Sequence, residues 1–451
     1  MAEARNPYPI VSWYEPVRRW PTHVGSLPWL IAINVVISAS SLATNVMLAN
    51  VLGASTYGEL VYALAIGAIG VALVMCGLDR SWIRELVAVA NSDRLVSVVS
   101  AGVILRAVML IPFASIVAGA VFWLPEPHAL SWPAVLVALA ATIQALSLKD
   151  LYDVWGASKR HSIYQLIERL VYFAAVWLVL ITSGEQTSVL MIGALMLASA
   201  LSGIGLQYYW AGRRLPFRFG EDTASLAWKF LKNGRWLWLA SLASLCWPAL
   251  SRIVLKHLSG NEDVGAFGAA WNLVVITLLF CAQIGRIFTP RLARLCLDDA
   301  SLDERMRVLR VYVTLCVLPA AACGIPALVA PRRLLNLLFE AEYAIAAGQL
   351  RIIGIYVIVV GFGYAFGQYL ICTRRDRAYA AGVIGSAVLS MLLYIPFISA
   401  WSGAGAAWVL LLSHGTACLY YAAVGLTDLR RALKAQPKPN NLREFPGTTA
   451  A

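Results

Sequence analysis

Charge is scarce in this chain, and negative charge scarcest of all. Of 451 residues, 13% are charged and 60% hydrophobic, with 24 acids against 36 bases. A soluble protein could not clothe its surface with so few charges, and one core does not absorb that much apolar side chain; a bilayer does. The signatures of soluble catalysis are missing too. There is no Walker-type phosphate loop, no Gly-x-Ser-x-Gly, no His-Glu-x-x-His and no carboxylate pair at a workable spacing. Five histidines are scattered, and the eight cysteines (Cys76, Cys246, Cys281, Cys296, Cys316, Cys323, Cys372 and Cys418) include no Cys-x-x-Cys. Most of these cysteines sit in apolar runs and read as small packing residues. No catalytic residue, metal or cofactor is expected. The loops are too short for a nucleotide-binding domain, so transport would use a gradient, the membrane potential or a partner.

What is abundant is apolar sequence in long runs. A hydrocarbon core about 30 Å thick needs about 20 helical residues. About twelve runs qualify, at 28–50, 58–78, 96–123, 132–150, 163–182, 188–210, 236–257, 265–288, 310–330, 350–372, 378–399 and 404–426. The stretch 334–349 reads as lying on the membrane surface. The expected fold is all-α, a polytopic membrane protein of about twelve transmembrane helices.

An internal repeat divides these helices. The run VMLANVLGASTYGELVYALAIGAIGVALVMCGLDRSWIRELV reads as an apolar hairpin turning on Gly53 and Gly58 and ending in charge at Asp79, Arg80, Arg84 and Glu85. Its layout returns 207 positions later, placing Gly260 on Gly53, Gly265 on Gly58 and Arg291 on Arg84. Two six-helix bundles follow. The expected organisation is an interfacial N-terminus at 1–26, a first bundle at 27–212, a basic cytoplasmic linker at 213–235, a second bundle at 236–430 and a disordered tail at 431–451. Residues 1–26 lack the apolar core and cleavage site of a signal peptide, so they are expected to stay on the chain, with Trp13, Tyr14 and Trp20 as interfacial anchors.

The basic residues orient the helices. With the N-terminus cytoplasmic, the termini and the loops after spans 2, 4, 6, 8 and 10 hold about 29 of the 36, whereas the outer segments hold only Lys256, Arg332, Arg333 and Arg351. Both termini are therefore expected in the cytoplasm. Topology explains the net charge of +12 without nucleic acid.

Ionisable and amide side chains inside spans carry the functional reading, because a mid-bilayer charge costs about 2.5–3.5 kcal/mol even on the lenient scale. Arg106 lies mid-span, and Arg252 lies in the outward half of span 7 one turn before Lys256. Asn45 is the counterpart of Arg252 in the repeat; Asn272, Gln283 and Gln144 add polar groups at other depths. These six are the substrate-binding candidates, and Asp79, Arg80, Arg84 and Arg291 the candidates for gating at the cytoplasmic end. Each has a plainer reading: Arg106 could bond to backbone carbonyls, Lys256 could snorkel to headgroups, and amides in spans often join helices. Spans 1, 2, 3, 6, 8, 9, 11 and 12 hold no acid away from their ends, so the interior is cationic and suits an anionic substrate.

Three segments carry a family resemblance: LANVLGASTYGELVYALAIGAIGVALVMCGLDRSWIREL, APRRLLNLLFEAEYAIAAGQLRIIG and GAGAAWVLLLSHG. In this order they resemble oligosaccharide flippases of the Wzx type, in the multidrug/oligosaccharidyl-lipid/polysaccharide exporter superfamily. The resemblance implies two bundles around a central cavity with alternating access, and undecaprenyl-pyrophosphate-linked oligosaccharide units as substrate, moved outward across a bacterial inner membrane for exopolysaccharide or O-antigen synthesis. It implies as partners membrane lipids and the polysaccharide polymerase and chain-length machinery, and no nucleic acid. Two departures stand out. Family members carry an acid beside the basic residue of span 7 where this chain has Ser251, and the drug-exporting branch uses an acid in span 1 where this chain has Asn34 and Asn45. The alternatives are a cation-coupled exporter of drugs or small solutes and a membrane-embedded polysaccharide polymerase.

Overall fold

The computed structural model describes residues 27–435, apart from parts of 79–93 and the stretches 124–130, 156, 184–185, 216–221, 298–301 and 374. Among these residues all regular structure is helical. The first half contains α1 (Leu27–Met75), α2 (Arg94–Trp123), α3 (Trp132–Thr142), α4 (Lys149–Val154), α5 (Ser158–Ser183) and α6 (Val189–Gly212). The second contains α7 (Asp222–Ser244), α8 (Pro248–Ser259), α9 (Asn261–Leu297), α10 (Leu302–Val329), α11 (Pro331–Leu338), α12 (Ala347–Cys372) and α13 (Asp376–Ala435). Helix α7 takes up the second half of the basic linker and runs on into the membrane.

Helix α1 is a hairpin. A straight helix of its 49 residues would be about 73 Å long, more than twice the hydrocarbon core. Both of its ends lie near the start of α5: the Trp29 ring is 5.8 Å from Lys159 Nζ, and Met75 lines a cavity with Gln165 and Arg169. Its middle lies at the other end of the molecule, where Asn50 Nδ2 donates to the Leu338 carbonyl at 2.9 Å. The chain reverses at Gly53, whose φ of 73° and ψ of 164° a side chain would oppose. Helix α13 reverses likewise at Ser402 (φ 47°), bringing Tyr379 onto Tyr421 at 5.3 Å and Arg375 Nε to 2.5 Å from an Asp428 oxygen. With these two reversals, the nine helices and one bent pair long and apolar enough to span a membrane make twelve crossings among the described residues.

The internal repeat is visible in the backbone. Gly260, 207 residues after Gly53, also has positive φ, at 93°. Next to these turns the two halves meet in a reciprocal contact. A Cβ on Gly58 would lie 1.8 Å from the Asn261 carbonyl oxygen, and one on Gly265 would lie 2.0 Å from that of Ala54. Each glycine faces the counterpart of the residue that faces the other, so two helices cross backbone to backbone on a local twofold, as small residues permit.

Core packing gives the halves their relative arrangement. One continuous apolar core contains residues of both halves at the end where the chain turns at Gly53 and Gly260, the end expected outside, including Leu48, Tyr57, Leu60, Phe267, Trp271, Tyr343 and Tyr356. Towards the opposite end there are two separate cores: one around Trp82, Val99, Tyr152 and Phe230, the other around Tyr312, Phe366, Tyr369 and Tyr421. The loop expected on the membrane surface folds down into the outer seal. Although Leu337 stays exposed, Tyr343 is buried and donates to the Ala49 carbonyl at 2.8 Å, and Glu342 Oε1 accepts from the Ala54 N–H at 2.7 Å. That bond satisfies a donor at the opening of a helix, where four N–H groups lack partners.

Two spans are broken, and each break has a cause. Span 7 bends by 46° between Ser244 and Pro248, because Pro248 has no N–H to continue the ladder. The bend carries this span from one half to the other. Before the break Trp238 Nε1 donates to the Ala72 carbonyl at 3.0 Å, while beyond it Trp247 Nε1 donates to Ser386 Oγ at 3.2 Å. Span 4 breaks at Ile143–Leu148, and polar side chains satisfy the freed backbone groups, as a membrane interior demands. Gln207 Oε1 accepts from Leu148 N at 3.0 Å, Tyr208 donates to the Leu146 carbonyl at 2.9 Å, and Arg106 donates to the Ala145 and Ser147 carbonyls at 3.2 and 2.9 Å.

Candidate functional site

The junction of the halves, just below the outer seal, gathers the residues best suited to an anionic ligand. Arg252 projects from α8, a helix whose other face is held by Ser251, fully buried and bonded to the Pro248 carbonyl at 3.1 Å. The guanidinium carbon is 5.6 Å from the centre of the Trp271 ring, within range of a cation–π attraction. Its Nε is buried without a hydrogen bond, and among the described residues no carboxylate pairs with Arg252. Beside Trp271 on α9, Asn272 Nδ2 donates to Tyr57 Oη at 2.6 Å. Tyr57 meets Tyr343 edge to face with centroids 6.4 Å apart. Both halves thus contribute to the site.

An uncompensated cation here is costly to the empty protein, because a desolvated charge without a partner forfeits hydration. An anionic group entering between the halves would offset that cost. Asn272, half-buried, offers an amide beside the Trp271 ring, whereas Tyr57 and Tyr343 are fully buried with their hydroxyls bonded to Asn272 and the Ala49 carbonyl.

The other candidates are dispersed. Asn45 Nδ2 donates to the Ser41 carbonyl of its own helix at 2.9 Å. Gln283 lies half-buried on α9, eleven residues and about 16 Å further along the helix than Asn272. Gln144 donates to Glu168 Oε1 at 2.6 Å and lines a cavity of about 340 Å³ with Lys149, Asp150 and Arg169, at the end of the first half away from Gly53. Arg291 is exposed, and Asp79, Arg80 and Arg84 lie outside the described residues. Lys256 points inward at the Tyr62 ring, 3.9 Å from its centre, rather than out along the helix.

Arg106 takes the carbonyl-bonded arrangement. It is fully buried, its guanidinium carbon 3.9 Å from the centre of the Trp82 ring and one nitrogen bridging the two carbonyls freed by the span 4 break. Replacing it with Met is expected to strand those carbonyls and cost about 2–4 kcal/mol of stability. A lowered thermal midpoint with normal export per folded molecule is the expected result. Normal stability with lost export would move Arg106 into the substrate path.

The sequence reading missed Tyr57, Trp271 and Tyr343. Their signal was position: Tyr57 falls between the two hairpin glycines, and Trp271 is the neighbour of Asn272. Their roles depend on contacts between halves that no local pattern reports.

Comparison with known proteins agrees with this architecture. The chain is 28% identical over 187 residues to the capsular polysaccharide biosynthesis protein CapF of Staphylococcus aureus, covering 38% of this chain and 43% of that protein. It is 21% identical over 295 residues to the probable low-salt glycan biosynthesis flippase Agl15 of Haloferax volcanii, covering 64% of this chain and 60% of that one. The matches thus span about half the length of these curated relatives. Among solved structures, the lipid II flippase MurJ in an inward closed conformation superposes with a TM-score of 0.68 at 10% identity, covering 91% of this chain and 94% of MurJ, a likeness of fold. The family model for polysaccharide biosynthesis proteins matches residues 26–296, more than half of the sequence, and with twelve membrane crossings in two repeated halves the chain belongs to the polysaccharide biosynthesis protein family.

Proposed function

We propose that this protein is a flippase, a transporter rather than an enzyme, which moves an oligosaccharide linked to undecaprenyl pyrophosphate from the cytoplasmic to the outer leaflet of a bacterial inner membrane. Arg252 carries the reading: a cation without a carboxylate partner, at the junction of two repeated halves, among aromatic and amide side chains. Arg252 holds the diphosphate, Asn272 meets the sugars, and the lipid tail stays in the bilayer between the halves. Access alternates about the outer seal, which is closed here by the Gly58 and Gly265 crossing and by Glu342 and Tyr343. With both termini cytoplasmic, moving an anion outward across an inside-negative membrane is favoured by about 2.3 kcal/mol per charge per 100 mV. The loaded step therefore draws on the membrane potential. Polymerase and chain-length partners would receive the unit outside.

The test is the fate of lipid-linked sugar in a strain lacking the protein, scored by the access of an impermeant lectin to spheroplasts. A complete repeat unit confined to the inner leaflet is the expected result; normal outward exposure overturns the proposal.

A cation-coupled exporter on the same scaffold is the second reading, and one observation favours it. Glu168 is a buried carboxylate bonded to Gln144, and Asp150 lines the neighbouring cavity. In that reading Glu168→Gln abolishes transport driven by a pH gradient; in the flippase reading it leaves transport driven by the potential.

A further inference from the structure

The positive-inside pattern has four exceptions on the outer side, Lys256, Arg332, Arg333 and Arg351, and the fold gathers three of them in one place. Arg332 and Arg333 open α11, and Arg351 lies one turn into α12. All three line a single cavity of about 630 Å³ at the outer end of the second half, and all three are exposed. Among the described residues none of them forms an ion pair or hydrogen bond. Three guanidiniums around one space repel one another, and the arrangement gains stability only when an anion enters it.

Two further features point to a phosphate. No side chain caps the start of α11, whose N-cap is Ala330, so the positive end of that helix also borders the cavity. Gly348 lines the cavity as well, and a Cβ there would meet nothing within 4 Å, leaving the approach to the backbone open. Guanidinium forks match phosphate oxygens in pairs, which a scatter of lysines would not. The surroundings point to a lipid. Val329 on the cavity wall is 73% exposed, and Leu337 and Ile345 on the adjoining turns are 76% and 53% exposed. Cationic headroom beside bare aliphatic side chains fits a phosphate carried on an acyl or isoprenoid chain.

We infer that Arg332, Arg333 and Arg351 form a docking site for the phosphate of a lipid in the outer leaflet. The site is separate from Arg252 and stands whether or not Arg252 handles a diphosphate. Its ligand has two possible sources: a resident anionic phospholipid that anchors this loop, or the isoprenoid diphosphate of a delivered glycolipid on its way out.

The experiment titrates the full chain, purified in a zwitterionic detergent, with phosphatidylglycerol, farnesyl diphosphate, phosphatidylcholine and inorganic phosphate, with native mass spectrometry counting bound molecules. The triple variant R332Q/R333Q/R351Q is expected to bind at least one of the two anionic lipids about tenfold or more weakly, while R332K/R333K/R351K, which keeps the charge and loses the paired donors, falls between it and the wild type. Loss of phosphatidylglycerol alone identifies a resident lipid, and loss of farnesyl diphosphate alone identifies an exit site; either supports the inference. Wild-type affinity for both lipids in a stably folded glutamine variant overturns it. So does wild-type protein that binds inorganic phosphate as tightly as either lipid, because the chain would then contribute nothing.

Discussion

Arg252→Gln is expected to abolish export of the lipid-linked sugar while leaving the empty protein as stable as before, or more stable. The two halves of this prediction have one cause. With Nε buried and no carboxylate beside it, part of the guanidinium has lost hydration without gaining an ionic partner, so a neutral amide of similar reach removes a cost from the empty state. When the diphosphate is bound, the same substitution leaves an anion without its counter-charge, a loss of about 2–5 kcal/mol, or roughly two orders of magnitude or more in affinity. Arg252→Lys keeps the charge but loses the paired donors and the stacking on Trp271, and is expected to fall between. Lipid-linked sugar on the inner leaflet and the thermal midpoint of the purified variant are the two readouts. Export at the wild-type level with normal protein abundance would remove Arg252 from the mechanism. Lost export with a collapsed midpoint would mean that the residue supports the fold.

Gly58→Leu, and independently Gly265→Leu, is expected to stop transport by holding the outer seal apart. Overpacking a core commonly costs about 1–3 kcal/mol, and side chains yield to reduce it. Here the obstacles are the backbone carbonyls of Asn261 and Ala54, 1.8 and 2.0 Å from the new Cβ positions, which cannot rotate away. The helices must separate. Since the core at this end is continuous between the halves whereas the cores at the opposite end are separate, separation at this point favours an arrangement open at this end, the one expected to face outward. A cysteine placed at Ala54, which is 3% exposed, reports the change: an impermeant maleimide added outside should label A54C/G58L and A54C/G265L far faster than A54C alone. The agreement of the two glycines is the informative part, because the local twofold makes them equivalent. Unchanged labelling in both would mean that this crossing does not gate the outer side.

Much of the architecture is legible in the sequence. The long apolar runs require a membrane, because nothing else receives that much apolar surface. The spacing of 207 between Gly53 and Gly260 marks two hairpins on its own, since a tight reversal between apolar helices calls for a residue free to take positive φ. Even the break in span 7 is announced by Pro248. These features are local: each depends on a residue's own backbone freedom or on the hydropathy of its neighbours.

The tertiary structure decided which polar residues are available to a ligand. Arg106 and Arg252 look alike in the sequence, each a lone arginine in an apolar span. The break in span 4 presents Arg106 with carbonyls from residues 39 and 41 positions away, whereas Arg252 has the Trp271 ring beside it and, among the described residues, no carboxylate partner. Whether a buried charge is consumed or free depends on partners distant in the chain, and no periodicity reports them. The same holds for Arg332, Arg333 and Arg351, which a residue count treats as minor exceptions to the charge asymmetry and which the meeting of α11 with α12 turns into one cationic cavity. Hydropathy and backbone freedom are properties of a segment, and the sequence by itself determined the twelve spans and their repeat. Pairing is a property of the packed molecule, and only the packing decided that Arg106 bonds two carbonyls while Arg252 has no carboxylate partner among the described residues.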